Sequence, residues 1–217
     1  MKLHKIVQIS LFAAAISLAG CKSFLEEENP TGLTSQNVYT TPAGFESLVN
    51  AAYAYTRAWY GKEEAFNLTE MGTDLWYPGV DNRRIDLMTY NNLQGSEAGL
   101  ASTEVFLESL WKRSYQAINL CNQGILNVNQ AGLTPATAKI REGELRFLRA
   151  FYYWHVVEQW GGVHFTTGIT ETAITTANRT APEVIYQQII DDLKIAADNL
   201  PDRKSTRLNS SHSDRSR

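Results

Sequence analysis

Apolar residues recur every three and four positions in four separate stretches, and this limits the available folds more than any other feature: the spacing keeps one side of an α-helix apolar and cannot do so for a strand. The first stretch starts at Thr41-Pro42, a hydroxyl cap followed by proline, and Phe45, Leu48, Val49, Ala52, Tyr53 and Tyr60 carry its stripe as one helix to Gly61. A second helix is predicted over residues 102–128, with Leu107, Trp111, Ser114, Ile118, Cys121 and Ile125 on one face. The third starts at Thr134-Pro135 and stops at Gly161-Gly162, read as a stop that needs positive φ; its predicted buried stripe is Ile140, Glu144, Phe147, Leu148, Phe151, Tyr152 and His155. Thr180-Ala-Pro-Glu183 reads as the capping box of a fourth helix, whose stripe is Ile185, Ile189, Leu193, Ala196 and Leu200. Strand signals are confined to residues 163–166 and 86–90. The fold class that follows is mainly α, built of paired helices.

Residues 68–99 interrupt this regularity. They hold Asp74, Trp76, Tyr77, Pro78, Gly79, Asp81, Asn82, Arg83, Arg84, Asn91, Asn92 and Gln94, a long polar loop with two adjacent rings. Loops of this length inside a domain are functional or disordered, and a Trp-Tyr pair argues for the former.

The two ends read differently from the body. Met1 to Lys5 is short and basic, and an apolar run from Ile6 to Ala19 follows, too short for the ~20 residues that span a bilayer; residues 1–20 are therefore expected to be an export signal. Leu18-Ala19-Gly20-Cys21 resembles a bacterial lipobox, which makes Cys21 the expected acylation site and the mature protein lipid-anchored rather than membrane-spanning. Acylated Cys21 leaves Cys121 as the sole thiol, so no intramolecular disulfide can form, and Cys121 is expected to pack as a small hydrophobe. Lys22 is not the aspartate that retains many lipoproteins at the inner membrane. Residues 204–217 hold five Ser, three Arg and one large apolar residue, Leu208, and resemble a translated sequencing adapter. They are expected to be non-native or disordered, with residues 21–203 the N-terminal part of a longer helical domain.

Net charge is −3, but residues 1–20 contribute +2 and residues 204–217 contribute +3, so residues 21–203 carry −8. An acidic body excludes nucleic acid as a partner, since that contact needs a basic surface. Aromatic residues make up 11% of the chain, enough to require either a ring-rich core or a surface for flat, apolar ligands.

Leu145-Arg-Phe-Leu-Arg-Ala-Phe-Tyr-Tyr-Trp-His-Val-Val-Glu-Gln-Trp-Gly-Gly-Val163 closely resembles the signature of SusD/RagB-type nutrient-uptake lipoproteins of Bacteroidetes, where an aromatic helix runs into Tyr-Gly-Gly-Val-Pro. Here Trp160 stands for the Tyr and His164 for the Pro. Leu110-Trp-Lys-Arg-Ser-Tyr-Gln-Ala-Ile-Asn-Leu-Cys-Asn122, Arg179-Thr-Ala-Pro-Glu-Val-Ile-Tyr186 and Asp192-Leu193 leading to Leu200-Pro201 match in order. The resemblance implies a truncated SusD-like fold, with tetratricopeptide-like paired helices as scaffold and long ligand-binding loops. It also implies a non-enzymatic, surface-exposed outer-membrane lipoprotein that binds glycan, or peptide, and caps a SusC-like TonB-dependent transporter. The 34-residue repeat itself is not visible. The alternative is a helical-repeat envelope adaptor that binds only protein partners.

Within that reading the expected ligand contacts are Trp76 and Tyr77, because sugar C–H faces stack on aromatic rings, with Asp74, Asp81, Asn82 and Arg83 as partners for the hydroxyls. The competing reading folds Trp76 inward as a loop anchor. The ring stripe of the signature helix is expected to be core, with Arg146 and Arg149 paired to buried carboxylates or helix ends. Asp191-Asp192 and Glu142/Glu144 read as solvated helix faces. His155, Glu158 and His164 lack the spacing of a zinc site, and there is no phosphate loop, Gly-x-Ser-x-Gly elbow or Cys-x-x-Cys. No metal, cofactor or catalytic residue is expected.

Overall fold

Six α-helices account for most of the residues that the computed structural model describes, which are 38–77, 79, 87, 104–170 and 176–202; all belong to one unit of the chain, Val38–Arg217. In chain order they are α1 (Pro42–Ala54), α2 (Arg57–Tyr60), α3 (Glu63–Glu70), α4 (Val105–Asn127), α5 (Pro135–Trp160) and α6 (Pro182–Asn199), with a 3₁₀ turn at Val128–Gln130. No strand is found among the described residues: the 163–166 signal reduces to an isolated antiparallel bridge between Val163 and Thr180. Within 86–90 only Leu87 is described, and it is helical and buried against Met71 and Phe106 rather than in a strand. Residues 1–20, Cys21 and residues 204–217 lie outside the described residues.

The caps read from sequence form where the decisive contacts are local. Thr41 accepts from the Gly44 amide and Thr134 from the Thr137 amide, each followed by proline at the helix start. Two expectations fail. The single helix predicted from Thr41 to Gly61 breaks at Tyr55, where the Thr56 hydroxyl donates to the Tyr53 carbonyl and the chain restarts as α2. The capping box at Thr180 does not form: Thr180 is drawn into the bridge with Val163, its amide 2.8 Å from the Val163 carbonyl, and Ala181 caps α6 without a side-chain bond. Of the two glycines that end α5, only Gly161 takes positive φ, at 68°. Gly162 is small for another reason, since a Cβ there would stand 2.9 Å from the Thr180 carbonyl oxygen.

Successive long helices run antiparallel. Along the α5/α6 seam Glu158 meets Tyr186, Arg149 meets Asp192, and Gly143 meets Asn199 and Leu200. Along α4/α5, Trp111 meets Trp160 and Asn122 meets Arg149. α1 lies across the α4/α5 pair, and the closest approach is at Gly124, where a Cβ would stand 2.4 Å from Leu145 Cδ1 and 2.8 Å from Leu48 Cδ2. α5 is thus buried on two sides, by α4 and by α6. Its buried residues, including Gly143, Leu145, Leu148, Arg149, Tyr152, Tyr153 and Val156, form a wider arc than the stripe predicted for it. Phe147 is exposed, and Phe151 and His155 are half-buried. Tyr152 is fully buried and donates its hydroxyl to the Ala52 carbonyl at 2.6 Å. Cys121 packs in the core as expected, and burial pushes its thiol pKa up.

Candidate functional site

Of the six expected ligand contacts, Asp74, Trp76 and Tyr77 are described, while Asp81, Asn82 and Arg83 lie outside the described residues. The expected loop begins later than residue 68, because Glu63–Glu70 is helical; Glu63 and Glu64 in its first turn favour the positive end of the helix dipole. Trp76 stands edge-on to Phe66 of this helix, ring centroids 4.5 Å apart and planes at 87°. Trp76 is 43% and Phe66 42% exposed, so the pair is held in place yet keeps open ring surface. Tyr77 is 71% exposed, and Asp74 is exposed beside it. Trp76 therefore neither folds inward nor projects alone. It is one half of a two-ring platform whose other half, Phe66, was missed because it sits in a helix and belongs to no motif.

The signature helix does structural work, as its spacing suggested, except that Trp154 of its ring stripe is 44% exposed rather than core. Asp192 is fully buried, contrary to its reading as a solvated residue, and accepts Arg149 Nε and Nη2 at 2.7 Å each and Arg146 Nη1 at 3.0 Å. Arg149 is also buried and gives its remaining contact to Asn122 Oδ1 at 2.9 Å. The Asn122 amide then donates to the carbonyls of Thr166 and Gly168, at 3.2 and 2.9 Å. Tyr153 donates to the Thr166 carbonyl at 2.6 Å and accepts its amide at 3.0 Å. A buried ion pair between helices thus fixes the backbone after Gly162. The segment it fixes forms one wall of a groove of about 370 Å³, opposite Trp111, Tyr115, Gln116 and Asn119 of α4.

Around His155 the rings make a second cluster. Trp59 stacks on the imidazole at 4.0 Å, Phe151 and Trp154 pack at 4.5 and 4.7 Å, and Nε2 is buried without a hydrogen-bond partner. Burial pushes its pKa down to about 4 against an opposing pull from Glu158. No group of His, Cys, Asp and Glu able to hold a metal occurs among the described residues. No helix among them is long and apolar enough to cross a membrane.

Comparison with known proteins places this geometry. Residues 23–215 match the model of the SusD-like family described as starch-binding and associating with the outer membrane. SusD-like protein P2 of Formosa agariphila is 28% identical over 214 residues, 95% of this chain and 40% of that protein. A SusD-like protein of Bacteroides ovatus is 26% identical over 201 residues, 87% of this chain and 34% of that one. The chain thus spans two-fifths or less of the length of these curated relatives. Among solved structures, a laminarin-binding SusD-like protein superposes with a TM-score of 0.61 at 19% identity, over 74% of this chain and 34% of its own. Surface glycan-binding protein A from Bacteroides uniformis gives 0.57 at 24% identity, over 73% and 34%. Likeness at these identities shows the fold.

Proposed function

This chain belongs to the SusD-like family, and we propose that it is the glycan-binding, helical portion of a surface lipoprotein that works without catalysis beside a SusC-like TonB-dependent transporter. The observation that carries the reading is the Trp76/Phe66 platform. Two rings locked edge to face keep their open faces in a fixed relation, so a pyranose stacks without the protein first ordering a loop. Asp74 and Tyr77 beside it supply a carboxylate and a hydroxyl for sugar hydroxyls. Asp81, Asn82 and Arg83 are proposed as further contacts from the same stretch of chain. Acylation at Cys21 after removal of residues 1–20 would tether the protein to the outer membrane and leave the platform facing outward. The same family description, starch-binding and associating with the outer membrane, supports this arrangement.

Affinity electrophoresis through gels containing neutral and acidic polysaccharides tests the reading. Trp76→Ala should relieve retardation in the gel that retards the wild type, because a stacked ring contributes about 1–2 kcal/mol, or roughly 5–30-fold in affinity. Co-purification with the transporter from outer membranes should be unaffected by the same change. Binding unaltered by Trp76→Ala in a folded protein removes the platform as the ligand surface. Co-purification with the transporter and no polysaccharide binding at all would favour the adaptor alternative.

A further inference from the structure

A depression of about 250 Å³ is lined by Tyr55, Arg57, Lys62 and Arg113 together with Ala54 and Ala58. Three elements supply its cations: Arg57 opens α2, Lys62 caps α3 and Arg113 lies on α4. Their placement is fixed by buried structure. Trp59 of α2 is buried, and its indole N–H donates at 3.3 Å to Ser114, the residue after Arg113. The half-buried Tyr55 forms the turn that ends α1 and adds an aromatic wall.

The charge pattern sets this place apart. The three arginines of α5 find carboxylates closely: Arg141 holds Glu46 and Glu144 at 2.8 and 2.7 Å, Arg146 holds Glu142 and Asp192 at 2.8 and 3.0 Å, and Arg149 holds Asp192 at 2.7 Å, whereas the exposed Arg179 has none among the described residues. Of the three cations lining the depression only Arg113 has a carboxylate partner, Glu64 at 3.3 Å. Arg57 and Lys62 form no salt bridge among the described residues. Residues 21–203 carry −8, so carboxylates are plentiful, and leaving two of three clustered cations without one keeps positive potential in a concave place where an anion is attracted. Lys62, the N-cap of the helix that carries Phe66 four residues on, ties one wall of the depression to the element that holds the platform.

We propose that this depression receives the anionic substituent, carboxylate or sulfate, of an acidic oligosaccharide whose neighbouring ring stacks on Trp76. The inference names the ligand class of the site proposed above and rests on that reading for its stacking half only. Arginine offers a planar fork to either anion and lysine a point charge, while the Tyr55 ring covers an apolar sugar face.

Calorimetric titration of the purified protein separates the two halves, with tetragalacturonic acid as the carboxylate probe, a sulfated carrageenan tetrasaccharide as the sulfate probe and maltotetraose as the neutral control. One acidic probe should bind and maltotetraose should bind at least tenfold more weakly, an order of magnitude set by one or two charge-assisted contacts. Arg57→Gln combined with Lys62→Gln should weaken the acidic probe about tenfold, as should raising salt from about 20 to about 200 mM. Both side chains are exposed, so an unchanged thermal midpoint should show that the fold is intact. If maltotetraose binds as well as the acidic probes and ignores the double substitution, the acidic-ligand inference is overturned while the platform stands. If the acidic probe responds to the double substitution but not to Trp76→Ala, the depression stands and the platform fails. Binding of no probe overturns the inference.

Discussion

Removing the carboxylate of Asp192 should destabilise the protein more than removing any apolar side chain of comparable size. The carboxylate is fully buried and takes three guanidinium contacts, at 2.7, 2.7 and 3.0 Å, from Arg149 and Arg146. After Asp192→Ala, Arg146 keeps Glu142, but Arg149, 3% exposed, is left with Asn122 alone. An uncompensated buried charge of this kind costs about 3–5 kcal/mol, a large share of the ~5–15 that holds a domain folded. With a urea m-value of ~2 kcal/mol/M, the unfolding midpoint followed by far-UV circular dichroism should fall by roughly 2 M. Replacing both partners, Arg149→Met with Asp192→Leu, should recover most of that loss, since the penalty comes from the orphaned charge rather than from the pair as such. Amide exchange at residues 166–168 should quicken in the single variant, because Arg149 also steadies the Asn122 that holds their carbonyls. A midpoint shift below about 0.5 M, or a double variant no better than Asp192→Ala, would refute the reasoning.

Three further outcomes are expected. Gly124→Val drives a branched side chain against Leu145 and Leu48 and should lower stability by about 1–3 kcal/mol, read as a drop in thermal midpoint. Thr134→Ala removes the cap of α5 and should cost about 1 kcal/mol, with Thr134→Ser restoring it. His155 has a folded pKa of about 4, below the ~6.5 of an unfolded histidine, so its contribution should be intact above pH ~6.5 and fall away as pH drops toward 4. Since the imidazole is only partly buried, solvent screening holds that loss to about 1–2 kcal/mol. His155→Phe keeps the stack on Trp59 and should flatten the stability profile between those pH values.

What could be read from the sequence and what could not divide by the distance over which each contact acts. The caps at Thr41 and Thr134 were legible because donor and acceptor lie three residues apart. The cap at Thr180 was not, because a backbone partner at Val163 competes for the same residue and wins. Periodicity assigns a helix one buried face; α5 has two, against α4 and α6, so the predicted stripe included the exposed Phe147 and omitted Tyr153 and Arg149. Burial of Asp192 was invisible for the same reason, since its partner Arg149 lies 43 residues away.

The candidate site repeats the division. Trp76 stood out as a ring on a polar loop, while its support, Phe66, lies on α3 and fits no motif. Arg57, Lys62 and Arg113 belong to three different helix starts and faces, and along the chain each is an ordinary surface cation in an acidic body. Only the fold brings them to one depression, where Arg113 alone has a carboxylate partner. On the proposal made for this chain, ligand charge preference is set apart from the signature helix. Exchanging the exposed Arg57 or Lys62 should cost the fold little, because neither forms a salt bridge among the described residues, yet it alters the charge of the proposed depression; Arg113, half-buried and paired with Glu64, is less free to change.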